Sequence, residues 1–238
     1  MGAGDPVTHI IFDLDGLLIS TEEIYTEVIS ELLSKYEKTY TYEVKRKLMG
    51  RKALEAAAIM VKEYDLPISP QELTDELHSK ITPETWHKAT LLPGAAALFE
   101  YFHSHGLPMA VASGSVSWEI EAKMFNNKEV WSKLHHIVSS GDDPEVKHGK
   151  PAPDIFLVAL RRFDDPSAEP SNTLVFEDAW NGVAAGLAAG MRVVWVPDKR
   201  EPQGIPDSSL SQETISRLTR LTSLEQFDPT LFGLPPKR

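Results

Sequence analysis

The chain contains no cysteine. That excludes disulfides, thiolate nucleophiles and cysteine-ligated zinc, and it suits a reducing compartment, so a cytoplasmic protein is expected. Cations are also scarce: 24 Lys and Arg stand against 35 Asp and Glu, a formal net charge of −11. Such a balance argues against nucleic acid or an anionic membrane as a partner. No apolar run is long enough to cross a bilayer, and the N-terminus lacks the cationic and apolar pattern of a signal peptide. Gly2 follows Met1, but Pro6 stands where a myristoylation motif needs Ser or Thr. What remains is ordinary for a soluble globular protein. Of 238 residues, 42% are hydrophobic and 25% charged, enough for one large domain or one domain with an insert.

The apolar stretch Val7 to Phe12, broken only by Thr8 and His9, reads as a strand buried on both faces, as in a parallel sheet. It runs into Asp13-Leu14-Asp15-Gly16. Residues two apart on an extended chain point the same way, so Asp13 and Asp15 are expected to face one crevice. Gly16 allows a sharp turn behind them. Two like charges this close repel, so a cation or a shared proton is expected there. A calcium loop also uses Asp-x-Asp-Gly, but it continues with oxygen-bearing residues, and Leu17 and Leu18 follow here.

Ser20-Thr21-Glu22-Glu23 has the form of a capping box. Apolar residues then recur at helical spacing over Ile24–Leu33, Val44–Leu48, Leu54–Val61 and Leu73–Ile81, with no strand up to about Lys88. After Pro93-Gly94 strand and helix alternate. Strands are predicted at 108–113, 136–140, 173–178 and 192–197, helices at 95–102, 116–125, 154–163 and 180–189, and a last helix at 213–221. That alternation means βαβ units and a parallel sheet covered on both faces. The predicted fold is α/β: a Rossmann-like, doubly wound core over 1–18 and 89–238, carrying an inserted α-helical bundle over 19–88. The crossings near Leu18 and Lys88–Pro93 are candidate hinges.

Three further strand ends carry polar groups. Ser113-Gly114 precedes a helix, where free N–H groups and the helix dipole suit an anion. Lys150 sits in a Gly/Pro-stiffened loop ahead of a helix capped by Asp154, and it suits a phosphate as a point charge. Glu177-Asp178 supplies further carboxylates for a hard cation such as Mg²⁺. Strand neighbours point to opposite sides, so only one of Glu177 and Asp178 is expected to face it. Each has a plain alternative: an N-cap, a solvated lysine, acids complementing a dipole. Together, at one sheet edge, they form a set for phosphoryl transfer through a carboxylate nucleophile.

Asp13-Leu14-Asp15-Gly16, Ser113-Gly114, Gly149-Lys150-Pro151 and Glu177-Asp178, with Gly182 and Ala188-Ala189-Gly190-Met191, resemble the four motifs of the haloacid dehalogenase superfamily, in order and over nearly the whole chain. The insert is similar to that superfamily's α-helical cap. Leu48–Ala57, Gly141–Val146 and Leu231–Pro235 resemble the branch holding pseudouridine-5′-phosphatases and small glycerol-phosphate phosphatases. The resemblance implies a Mg²⁺-dependent phosphatase. Asp13 is then the nucleophile that becomes an aspartyl phosphate, and Asp15 the acid that protonates the leaving oxygen and later deprotonates water. Asp13, the Asp15 carbonyl and Asp178 would hold Mg²⁺; Ser113, the Gly114 amide and Lys150 would hold the phosphate. Two residues depart from the pattern: Ser20 stands where Asp is usual, and Ala179 where Ser is frequent.

Arg51, at the break after Gly50 between two cap helices, is expected to reach the substrate. The plainer reading of Arg51 and Lys52 is a solvated loop, or a cation paired with an acid such as Glu55. The expected partner is a small phosphorylated metabolite, with no nucleic acid and no membrane, and the protein is expected to act as a monomer. One alternative is a β-phosphoglucomutase-like phosphosugar mutase, which returns the phosphoryl group to a sugar hydroxyl. Another is a non-catalytic phosphometabolite-binding regulatory protein, against which the presence of Asp13, Asp15 and Lys150 counts. A metal-free dehalogenase has no need of a third acidic strand end.

Overall fold

The run predicted as a doubly buried strand forms β1 (His9–Phe12), and all four of its residues are buried. The structure, a computed structural model, describes residues 6–237, so Gly2 lies outside it. β1 pairs in parallel with β2 (Met109–Ser113) on one side and β4 (Thr173–Glu177) on the other. With β3 (His136–Ser139), β5 (Arg192–Trp195) and β6 (Leu218–Arg220), the order is β3-β2-β1-β4-β5-β6, parallel throughout. The period of two splits the core. Ile10 and Phe12 join Met109, Val111, Leu174 and Phe176 on one face, while Ile11 joins Ala110, Ala112 and Val175 on the other.

Between β1 and β2 lie α1 (Glu22–Ser34), α2 (Tyr42–Leu48), α3 (Ala53–Tyr64), α4 (Pro70–Lys80) and the short α5 (Pro83–Trp86). α4 starts where its sequence dictates: Ser69 accepts from the Glu72 N–H, Glu72 returns the bond, and Pro70 takes the first turn. Leu32, Leu33, Val44, Leu48, Ala57, Met60 and Leu73 give this bundle a core of its own. α5 was not predicted, and it forms the seam. Its Trp86 is fully buried and packs with Ala122 of the α/β core.

Ser20 does not cap α1. Its hydroxyl lies 3.1 Å from that of Thr90, the N-cap is Thr21, and no side chain caps that helix end. The reason lies in the backbone. The Ser20 N–H bonds the Thr90 carbonyl at 2.9 Å and the Leu92 N–H bonds Leu18 at 2.8 Å, so the two crossings run paired and the helix begins later.

α6 (Ala95–Ser104), α7 (Ser117–Lys123) and α8 (Lys128–Trp131) cover one face of the sheet through Phe99, Ile120 and Trp131. α9 (Asp154–Arg161) and α10 (Trp180–Ala188) cover the other through Phe156 and Val183. Pro153, not Asp154, occupies the N-cap of α9, and Asp154 instead accepts the His148 N–H at 3.0 Å. The predicted last helix is cut short to α11 (Gln212–Ser216), and the chain continues as β6. Pairing decides this. The Leu221 N–H reaches the Trp195 carbonyl at 2.8 Å, and the Arg220 guanidinium sits 4.5 Å from the centre of the Trp195 ring. The end of the chain returns under β1: the Val7 N–H donates to the Phe232 carbonyl at 3.1 Å. No helix among the described residues is long and apolar enough to cross a membrane.

Candidate active site

In this strand order the chain turns from one side of β1 to the other, and the crevice outside the carboxyl ends of β1 and β4 is where such sheets bind ligands. Asp13 prolongs β1 into it, its N–H bonded to the Phe176 carbonyl at 2.9 Å. The chain then folds back, with the Gly16 N–H on the Ile19 carbonyl at 3.0 Å. Gly16 has φ +81°, and a Cβ there would lie 2.5 Å from Asp178 Oδ2. No other residue fits that turn without displacing the carboxylate.

Lys150 is fully buried behind this floor. Its three donors go to Asp13 Oδ1 at 2.5 Å, Glu177 Oε1 at 2.5 Å and the Ala112 carbonyl at 3.1 Å. Burial alone pushes its pKa down, but the Asp13 and Glu177 charges overcome that and raise it. Asp13, Glu177 and Asp178 each offer an oxygen within 4.8 Å of the others, so this cluster can hold a metal ion. Burial, then the neighbouring Asp13 and Glu177 charges, pushes the Asp178 carboxyl well above its usual range. Glu177 and Asp178 both offer an oxygen to this cluster, rather than pointing to opposite sides, although the Glu177 oxygens also accept from Lys150 and the Ala179 N–H. β4 ends at Glu177, so the alternation of a strand does not extend to Asp178. Gly182 makes room for Glu177, since a Cβ there would fall 1.8 Å from Oε1.

Asp15 is held separately. Ser113 and Ser115 hydroxyls each donate to its Oδ2 at 3.1 Å, and the Lys123 ammonium lies 2.8 Å from Oδ1. Burial alone would raise its pKa; Lys123 and the hydroxyls of Thr21 and Ser113 outweigh burial and lower it. Lys123 was not predicted. In sequence Glu119 and Lys123 look like a solvated i,i+4 pair on a helix. In the structure the Lys123 side chain is fully buried, 4.4 Å from the centre of the Trp86 ring.

The loop at 49–52 brings the bundle down onto these strand ends. Met49's carbonyl accepts from Asn181 Nδ2 at 2.8 Å, and Lys52 Nζ donates to the Val146 carbonyl at 3.1 Å. The Arg51 carbonyl would lie 3.5 Å from a Cβ on Gly114. The Arg51 side chain itself donates to the Lys47 carbonyl at 2.8 Å and stands 3.9 Å from Glu55. It lines the cavity without touching the carboxylates. That cavity, about 430 Å³, has Asp13, Asp15, Asp178 and Gly114 on its floor and Met49, Leu54, Met60 and Leu77 above. Ser113 and Lys150 lie fully buried behind its wall.

A doubly wound parallel sheet that gathers buried carboxylates and a lysine at its switch point, under a helical cover, defines an α/β enzyme. Residues 7–190 match the haloacid dehalogenase-like hydrolases, and the chain belongs to that family. It is 42% identical over 231 residues to (DL)-glycerol-3-phosphatase 1, mitochondrial, of Arabidopsis thaliana, spanning 96% of this chain and 74% of that protein. It is 43% identical over 230 residues to a probable pseudouridine-5′-phosphatase of Drosophila melanogaster, spanning 96% and 95%. The crystal structure of CbbY from Rhodobacter sphaeroides in complex with phosphate shares the fold, with a TM-score of 0.73 over 96% of this chain and 100% of that one at 23% identity.

Proposed function

We propose that this chain is a Mg²⁺-dependent phosphatase that hydrolyses a small phosphomonoester, pseudouridine 5′-phosphate, a glycerol phosphate or a close analogue, through an aspartyl phosphate on Asp13. One observation carries the reading: Asp13, Lys150 and Asp178 converge in one buried cluster beneath a cavity closed by the 49–52 loop. The relatives over nearly the whole chain are named as phosphatases of two such esters.

Lys150 fixes Asp13 Oδ1, which leaves Oδ2 to attack phosphorus. The P–O bond to the alcohol breaks as the Asp13–P bond forms, and Asp15 gives its proton to the departing oxygen. Asp15 is ionised when Lys123 and two serines hold it, but a phosphate dianion arriving beside Ser113 and Gly114 raises its pKa by like-charge repulsion, and it takes up a proton from solvent before the alcohol departs. Once the alcohol leaves, the Asp15 carboxylate takes a proton from water, the water oxygen attacks phosphorus, and the Asp13–P bond breaks. The Asp13 and Asp178 carboxylates would hold a hard divalent cation, with the Asp15 carbonyl added as the family resemblance implies, while the Glu177 oxygens are taken by Lys150 and the Ala179 N–H. When bound, Mg²⁺ offsets the phosphate charge and orients it toward Asp13.

The bundle at 19–88 acts as a cap that closes over the substrate by movement at the paired crossings, and Arg51 swings from Lys47 to the far part of the ester. The net charge of −11 supports free small metabolites as partners rather than nucleic acid or membrane, and a monomer, and the absence of cysteine suits a cytoplasmic location. The test is phosphate release from pseudouridine 5′-phosphate, glycerol phosphates, phosphoglycolate and sugar phosphates, with Mg²⁺ and with EDTA. Release is expected from at least one ester and only with the metal. No release from any ester, or conversion of a sugar phosphate to its isomer without release, ends this reading.

A further inference from the structure

Glu119 is a buried carboxylate that the mechanism above does not use. It lies on α7, is 6% exposed, and lines the same cavity as Asp15, Gly114 and Ser115. No neighbour among the described residues makes a hydrogen bond of good geometry to its carboxylate. Lys123 Nζ is 3.7 Å from Glu119 Oε2, beyond hydrogen-bond length. Lys123 donates to Ser115 Oγ at 2.6 Å and Tyr25 Oη at 3.0 Å, and its charge is drawn to Asp15 Oδ1, 2.8 Å away. Ser115 has one proton, and it goes to Asp15 Oδ2 at 3.1 Å. His78 of α4 lines the cavity too, yet makes no ion pair with Glu119 among the described residues. Burial, aided by the Asp15 charge, pushes the Glu119 carboxyl up, and Lys123, His78 and the nearby Ser115 hydroxyl oppose it.

A carboxylate so placed has unfilled acceptor capacity facing the cavity. Leaving it unpaired is costly, so a ligand that supplies a donor is favoured over one that does not. The donor must come from the part of the substrate nearest Asp15, which is the departing alcohol. Resting on the phosphatase reading, we propose that Glu119 accepts a hydrogen bond from a hydroxyl of that alcohol. The site thereby selects phosphoesters of polyhydroxy alcohols over their deoxy counterparts. Glu119 is in this sense a specificity residue, and Lys123 and Asp15 form the wall against which it reads.

The experiment compares glycerol 3-phosphate with n-propyl phosphate, which has the same carbon chain without the two hydroxyls. The wild type is expected to prefer glycerol 3-phosphate. Glu119→Leu should lower that preference in kcat/KM at least about tenfold, mainly through KM. Glu119→Gln keeps a neutral acceptor of about half the strength and should retain part of the preference. The same loss on both esters would mean that Glu119 only supports Lys123 and Asp15, and it overturns the proposal. So does a wild type that treats the two esters alike while releasing phosphate from both, a result that needs no variant and leaves the phosphatase reading standing. Release from neither of these nor any other ester removes the phosphatase reading and this proposal together.

Discussion

At the scale of single residues, Asp13 and Asp15 stand two positions apart and meet different lysines. Lys150 holds the first from behind; Lys123 holds the second from the cap side. The two carboxylates are thereby separated in role. Asp13→Asn replaces the proposed nucleophile with a carboxamide and removes a proposed metal ligand, so kcat should fall at least about 10³-fold with the fold intact by circular dichroism. A purified variant retaining one-tenth of the activity would remove the covalent step. Asp15→Asn should cost about 10²–10⁴-fold on an alkyl phosphate, the usual range for general acid–base work. A good aryl leaving group needs no proton, so in single-turnover measurements its phosphorylation step should lose much less. Equal losses in that step for alkyl and aryl esters would assign Asp15 another role. Both aspartates, with Ser113 and Asp178, were legible in the sequence because each sits where a strand pattern stops, and Lys150 because a Gly/Pro-stiffened loop sets it ahead of a helix. Lys123 and Glu119 were not, because an i,i+4 pair of opposite charge reads as a solvated helix face until the packing of Trp86 and Tyr25 over it is known.

At the scale of elements, the apolar pattern identified β1 to β5 as short runs bounded by turn residues and α1 to α4 by helical spacing. It failed at α5 and β6, where too few apolar residues mark the segment. Leu218 to Arg220 continues an apolar spacing compatible with a helix, and only the free edge of β5 makes it a strand. The same loop region explains how α2 is held. Arg46 donates to Glu201 with Nε at 2.6 Å and Nη2 at 2.5 Å, and Tyr42 adds a bond at 3.3 Å. Glu201 is itself fixed by its loop, whose Pro202 and Gly204 carbonyls accept from Arg220 Nη1, both at 3.0 Å. This bidentate pair ties the cap side to the core side. The Arg46 side chain is 35% exposed, so the pair is worth only about 1 kcal/mol after screening. Glu201→Ala should therefore speed amide exchange in α2 and the 49–52 loop about fivefold, without changing exchange in β1. An unchanged rate there, or a uniform increase over the whole chain, would show that Arg46 and Glu201 do not hold the cap.

At the scale of the whole molecule, a half-buried histidine and a buried carboxylate set opposite limits on stability. His136, at the far end of the sheet, is pushed down to about 4 by burial and then by His135. Its contribution is present above the unfolded histidine pKa of about 6.5 and is lost as pH falls toward 4. Asp178 acts the other way. Its unfolded value is 3.8 and its folded value is raised by burial, Asp13 and Glu177. Folding therefore loses stability as pH rises from there toward the folded value, because the ionised carboxylate is penalised. A divalent cation reverses this second effect, and protons compete with it. Binding at about 100 times Kd is worth about 2.7 kcal/mol, or about 5–10 °C in Tm for a chain of this size. The expected outcome is a Mg²⁺-induced rise in Tm that is larger at pH 8 than at pH 5.5. Asp178→Asn should show two changes together: a higher Tm than the wild type when both are metal-free at pH 8, and almost no response to Mg²⁺. The pairing of those changes is the decisive part, since a surface metal site would leave the variant's response intact. If Asp178→Asn gains as much from Mg²⁺ as the wild type does, the cation binds elsewhere and the acidic cluster is held by its own protons.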